Sequence, residues 1–446
     1  MSRVSLLSTR SGLAYGALGA GILSFLPGVG EFGAVLVVAA ILLGWRDLRR
    51  VSQMLLGLVL LTLALAAVAG PSALPAAAAN MTRLTALILT VMLLSSLLGT
   101  SADLGAISRQ LFAGSPVVRY YSVAFGTGFL SMPLNFGSVG VMAAMIRGEM
   151  EDRGDSATTR NASRGVLRGF GASPIFSPLS ISIVLTITFV PALKSWELIA
   201  VSLPLAVVYL LVGGLFREPE QLESASEAPT HPGSRLQRFA PWLRFASIIG
   251  AICVATFSLS GLFGLSYSRS VTLSCFGAVL VGLGYQRLKG AEVQLPSMAP
   301  LSNELVIVGG SAFLGTLIST FASQWLGTGF SLPGWAYPVA AFGVPWVFFL
   351  GGMIGFNPIV TGTLTGGILG PIWPVGAVLG LGTAMVAGWG LTTAGTPYSA
   401  NSLLLERLTG YSAQEASLRW NMLMSVCCLL VSGALAGAMT MVMLDA

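Results

Sequence analysis

Two asparagines, 222 positions apart in a chain of 446, interrupt apolar stretches. Asn135 lies in Met132-Pro133-Leu134-Asn135-Phe136-Gly137, and Asn357 in Gly355-Phe356-Asn357-Pro358. A carboxamide donates to an anion's oxygen and accepts near a cation, so each can hold a charged solute while staying neutral. Each asparagine is followed by a second interruption: Ser173-Pro174 with Ser177-Pro178, and Gly395-Thr396-Pro397 running on to Asn401. Asn135 to Pro174 is 39 positions and Asn357 to Pro397 is 40, so the second half repeats the first. Asn135, Ser138, Ser173, Pro174, Asn357, Thr361, Thr396 and Pro397 form the expected substrate-binding set. Ser131, Gly137, Ala172, Thr363, Gly395 and Asn401 form the expected cation set, mainly through backbone carbonyls and hydroxyls.

Irregular backbone at membrane depth persists only where protein buries it or a wet cavity solvates it. Breaks at matching places in two halves of a chain point to a transporter's binding site. Broken helices expose N–H groups that favour anions at one end and carbonyls that favour Na⁺ at the other. All 17 acidic residues fall in loops, at span ends or in tails, so no mid-span carboxylate is expected to exchange protons. Na⁺ is therefore the expected coupling ion, and no other metal or cofactor is expected. His231, the sole histidine, lies in a polar stretch, which excludes an intramembrane histidine relay. Cys253, Cys275, Cys427 and Cys428 lack metal-ligand spacing. No Gly-x-x-x-x-Gly-Lys motif is present, which argues against ATP coupling within this chain.

The elements that must position these breaks are membrane spans. Apolar residues make up 54% of the chain and charged residues 9%, against about 25% charged in a soluble domain. Mean hydropathy is +0.82. The net charge of +6 comes from bases scattered at span ends, which reads as topology signals and not as a nucleic-acid surface. Positive-inside reasoning predicts an all-α polytopic membrane protein with its N-terminus inside and C-terminus outside.

The predicted order is an extra N-terminal span within 1–30, a first repeat over 31–216, a cytoplasmic linker over 217–240 and a second repeat over 241–446. Within the first repeat, residues 116–146 read as a re-entrant hairpin with arms of roughly 13–16 residues, too short to cross. A charged segment over 147–168 reads as a solvated surface helix, and 168–190 as a broken span. In the second repeat the hairpin is 336–372 and the broken span 375–405. Eleven crossings and two hairpins result. Without the first span, each set has five crossings, so the two repeats run in opposite directions. Trp389, deep in the last broken span, reads as core packing.

In this order of elements the chain resembles the ion transporter superfamily, most closely the divalent anion/sodium symporters that carry dicarboxylates and citrate. Each repeat of that family has a re-entrant hairpin with a Ser-Asn-Thr tip, followed by a span unwound at a proline. Here the tips read Leu134-Asn135-Phe136 and Phe356-Asn357-Pro358, with only the asparagine retained. Hydroxyls stand nearby at Ser131 and Ser138, and at Thr361 and Thr363. Thr396-Pro397-Tyr398-Ser399-Ala400-Asn401 is similar to the family's Thr-Pro-Pro-Asn-Ala with one residue extra. The resemblance implies a homodimer whose hairpins and broken spans slide as an elevator.

The expected function is secondary transport of a small carboxylate-like anion, coupled to Na⁺, in a bacterial-type inner membrane. The expected partners are that solute and membrane lipid, with no nucleic acid. Export of an oxyanion or metabolite on the same fold is the alternative. A membrane-embedded enzyme is the remote one, because its reactive constellations (His with Asp or Glu, paired aspartates, Ser with a base) do not occur within the spans.

Overall fold

A computed structural model describes residues 3–220, 235–290, 295–326 and 330–445, and all their regular secondary structure is helical. Ten helices among the described residues are long and apolar enough to cross a membrane, the architecture of a polytopic membrane protein. Val29–Leu43 is apolar but shorter, and Arg3–Ile22 is not among the ten. These two helices pack on each other and on Leu74–Gly99. Gly28, at φ 76°, turns the chain between them, which a side chain would resist.

A helical hairpin followed by a broken helix occurs twice. The first hairpin has arms Pro116–Leu134 and Phe136–Arg153 around Asn135. The second has arms Ala336–Met353 and Pro358–Leu369 around Ile354–Asn357. The first broken helix comprises Ala157–Phe176 and Ile181–Phe189, and the second Val378–Gly395 and Ala400–Thr409. These broken helices are the most buried candidate spans, at 78% and 83%, while Arg50–Val68 and Phe239–Gly261 are 28% and 22% buried. The breaks therefore sit at the centre of the molecule, and the straight apolar helices surround them.

The packing is reciprocal. Each hairpin's first arm lies on the broken helix that follows it, and each second arm lies on the far segment of the other broken helix. The broken helices cross at two glycines: a Cβ on Gly171 would sit 2.9 Å from the Gly390 carbonyl, and one on Gly390 would sit 2.5 Å from the Gly171 carbonyl. Only glycine permits that approach.

Two expectations about the first half change. The arms of the first hairpin are 19 and 18 residues long, because the second continues through the charged residues to Arg153. There Arg147 and Glu151 stay exposed and pair one turn apart, so the helix outlasts its apolar stretch. The solvated surface helix over 147–168 does not exist as such. Residues 157–176 form one helix in which Asn161–Ser173 are buried, including Arg164 and Arg168. Burial is tolerated because both guanidinium groups are paired, although the Arg164 Nε has no partner among the described residues. Arg164 pairs with Glu218 at 2.6 Å. Arg168 donates to Asn421, Tyr120 and the carbonyls of Gly213, Phe216 and Trp420.

The expected linker also differs at both ends. Glu218 and Glu220 are bound to Arg160, Arg164, Asn161 and Arg119, so the chain after Arg217 is anchored. Burial pushes the Glu218 carboxyl up, but hydrogen bonds from Arg164 and Arg160 outweigh it and hold it below the ordinary glutamate value. A helix already begins at Arg235. Residues 221–234, with Glu223, Glu227 and His231, lie outside the described residues.

Candidate functional site

The two tips and the two breaks meet around one cavity of about 370 Å³. The first tip is made by Asn135 itself, the one described non-glycine residue with positive φ (47°). That backbone is held from several sides. The Asn135 carbonyl accepts from the Ser138 N–H (3.2 Å) and hydroxyl (2.7 Å), Ser131 Oγ lies 2.7 Å from Ser138 Oγ, and Ser95 donates to the Leu134 carbonyl (2.5 Å). Among the described residues nothing bonds the Asn135 amide side chain, which lines the cavity.

At the second tip Gly355 takes the positive φ (94°), and Asn357 stays extended. Its side-chain oxygen accepts from the Ile359 N–H at 2.9 Å and caps the second arm. Its amide nitrogen remains available on the cavity side.

The breaks are a matched pair of four residues: Ser177-Pro178-Leu179-Ser180 and Thr396-Pro397-Tyr398-Ser399. In each, the last serine caps the next helix: Ser180 Oγ accepts from Ile183 N–H, and Ser399 Oγ from Ser402 N–H. The first helix thus runs straight through Ser173-Pro174 before it stops. Pro174 withholds only the N–H that would reach the Phe170 carbonyl, and the Pro174 carbonyl, which Pro178 has no N–H to reach, accepts from the Ser182 hydroxyl. The counterpart of Thr396-Pro397 is Ser177-Pro178, not Ser173-Pro174.

Of the expected substrate residues, Asn135, Ser173, Pro174, Asn357 and Thr396 line the cavity. Ser138 is turned into the tip, Thr361 lies between the arms of the second hairpin against Gly351, and Pro397 is buried in the break. Of the expected cation residues, Ser131 and Asn401 line the cavity. Gly137 is exposed beside Ser95, Ala172 is buried in its helix, and Thr363 donates back to Ile359 and Val360. Gly395 has a packing role, since a Cβ there would lie 2.3 Å from Ser425 Oγ.

Asn401 is wholly buried, and both its Oδ1 and Nδ2 lack a partner among the described residues. A buried amide with both ends open is rare and costly, and it leaves a donor and an acceptor for water, an ion or a solute in the cavity it lines. Ser180, Ser182, Thr393 and Ser399 add hydroxyls to the same wall. Trp389 lines it too, while packing 6.1 Å from the Phe348 ring. Arg49, Asn303 and Glu304 complete one end of the cavity, and none of them was singled out from the sequence.

Two other cavities differ in chemistry. One of about 590 Å³ sets Arg160, Arg164 and Arg419 against Asp155, Glu218 and Glu415, so its charges are balanced. One of about 760 Å³ has Arg83 and Lys194 in its wall. No family model matches the chain, and a search of curated proteins finds none similar to it.

Proposed function

We propose that this protein is a secondary transporter of a small carboxylate-like anion, driven by a cation gradient, with Na⁺ as the first coupling ion to test. The observation that carries the reading is the unpartnered Asn401 amide in a cavity that also receives both tips and both breaks. An amide of this kind donates from its NH₂ to a carboxylate oxygen and turns its carbonyl oxygen to a cation, so it suits an anion beside a cation. Neutral hydroxyls and helix ends supply the remaining contacts without a fixed counter-charge.

The reciprocal packing of hairpins on broken helices, and of Gly171 on Gly390, supports two repeats of opposite direction. Bases at the span ends support an N-in, C-out orientation in a bacterial-type inner membrane. In the elevator that the resemblance implies, hairpins and broken helices move together against a dimeric scaffold that includes Arg50–Ala69 and Arg235–Gly261.

The test is a thermal-shift panel of organic anions and oxyanions on the purified full chain, run in Na⁺ and in K⁺. A ligand of the folded state raises Tm by mass action. A carboxylate should raise Tm, more in Na⁺ than in K⁺, and Asn135→Ala with Asn401→Ala should remove the shift. Absence of any shift, or a shift that survives both substitutions, would reject the site.

A further inference from the structure

Glu304 gives the central cavity an acid. The sequence places it at the start of a span, but the structure sets it inside the candidate span Ala299–Trp325, in the cavity wall. Its Oε2 is buried and has no hydrogen-bond partner among the described residues. The chain directly after it, Leu305–Gly310, winds as a π-helix whose Ile307 and Val308 also line the cavity. Such wide turns are uncommon and collect at functional sites.

Among the charges around it, Arg49 acts on this carboxyl from beyond ion-pair distance. Arg49 lines the same cavity but forms no ion pair with Glu304 among the described residues. Arg10, 3% exposed, is committed to Asp47 at 2.5 Å, to the Ala299 carbonyl and to the Ser302 hydroxyl. Arg46 and Arg50 are exposed on the neighbouring segments. Glu31 stands in the first turn of Val29–Leu43, whose other end meets Ser302, and Arg83 lines the other cavity. The second-hairpin arm Pro358–Leu369 brings no charge.

An ionised carboxylate oxygen shut away from water is stabilised by a metal ion, a donor or a proton. A sodium ion needs a shell of oxygens, and the adjacent Asn303 Oδ1 already accepts from the Arg49 N–H (2.8 Å) and the Ser52 hydroxyl (2.9 Å). A proton needs no such shell. We propose that Glu304 is a proton-binding site of the central cavity, and that anion occupancy is linked to proton uptake on this carboxyl. The linkage rests on the transporter reading; the protonation does not.

The test is an infrared titration of the full chain in lipid membranes, in Na⁺-free K⁺ buffer. Wild type should show the carbonyl stretch of a protonated carboxyl group at neutral pH. Glu304→Gln should lose that band, and Glu151→Gln, at an exposed acid, should keep it. If Glu304→Gln does not fold, Glu304→Asp should retain the band at a shifted frequency. A wild-type spectrum without a band that Glu304 substitution removes or shifts would overturn the proposal. So would a Glu304 carboxylate that stays ionised and responds to added NaCl at fixed pH. The same samples in the anion thermal-shift panel separate the two readings. A protonated Glu304 with no anion binding would sink the transporter and leave the proton site standing.

Discussion

At the first hairpin tip Asn135 carries the positive φ itself, and its amide is left open to the cavity. At the second, Gly355 carries the positive φ, and the Asn357 oxygen is spent on capping the arm it opens. The residue type is the same and the work divides differently. A tip that strains a non-glycine residue gains nothing in stability from it, and such strain persists at sites where the side chain has another use. On the proposed transporter reading, the contrast gives ligand contact chiefly to Asn135 and arm stability chiefly to Asn357.

Substitutions at the crossing of the two broken helices should have the largest effect, because that crossing holds both tips in place. Gly171→Val should meet the Ala394 Cβ and the Gly390 carbonyl, and it should destabilise by about 3 kcal/mol or prevent folding. Gly390→Val should do the same against Ile175 and the Gly171 carbonyl. Thermal melts of the purified variants check both. Equal losses fit the reciprocal packing, and a mild effect at one glycine alone would break it.

Next in size is the split between the tips. Asn135→Ala should weaken anion binding by about tenfold or more, the worth of one hydrogen bond to a charged group, while Tm stays within a few degrees. Asn357→Ala should cost about 1 kcal/mol of stability through the lost cap, and Asn357→Ser should restore it. Calorimetric titration beside thermal melts separates the two outcomes; identical behaviour of the two alanine variants would erase the distinction.

A smaller effect of opposite sign is expected from Asn135→Gly. Glycine accepts the φ of 47° without strain, so the variant should gain up to about 1 kcal/mol in stability while losing binding. A fall in Tm would show that the amide supports the tip.

The smallest expected effect tests the anchored start of the linker. The Glu218 carboxyl lies below its ordinary value in the folded protein, so its contribution is present above the unfolded value and disappears as pH falls through the folded one. Tm should therefore decline on acidification below about pH 4.3, the ordinary glutamate value, and Glu218→Gln should flatten part of that decline. An unchanged acid limb would remove Glu218 from the account.

Much of the frame was legible in the sequence, because proline, glycine and asparagine inside apolar runs leave few ways to continue a helix. Asn135 and Asn357 mark real tips, and Thr396-Pro397 marks a real break. The first break was read over Ser173-Pro174 together with Ser177-Pro178, and only the second pair lies in it. Ser173-Pro174 looks as disruptive as Ser177-Pro178, and only the Ser180 cap on the following helix decides between them. Arg164 and Arg168 read as surface charges because their partners, Glu218 and carbonyls from two distant segments, are non-local. Glu304 was read as a span end for a related reason. Its exposure depends on how Arg10, Asp47 and Ser302 close over the helix start, and no local pattern encodes that.

The central claim, that both tips and both breaks serve one anion site, is tested most directly by an experimental structure of the full chain. It should be saturated with the anion that gives the largest thermal shift. The account predicts density for that anion between Asn135 and Asn401, in the cavity that Trp389 also lines. Density beside Arg83 and Lys194, with the central cavity unaltered, would contradict it.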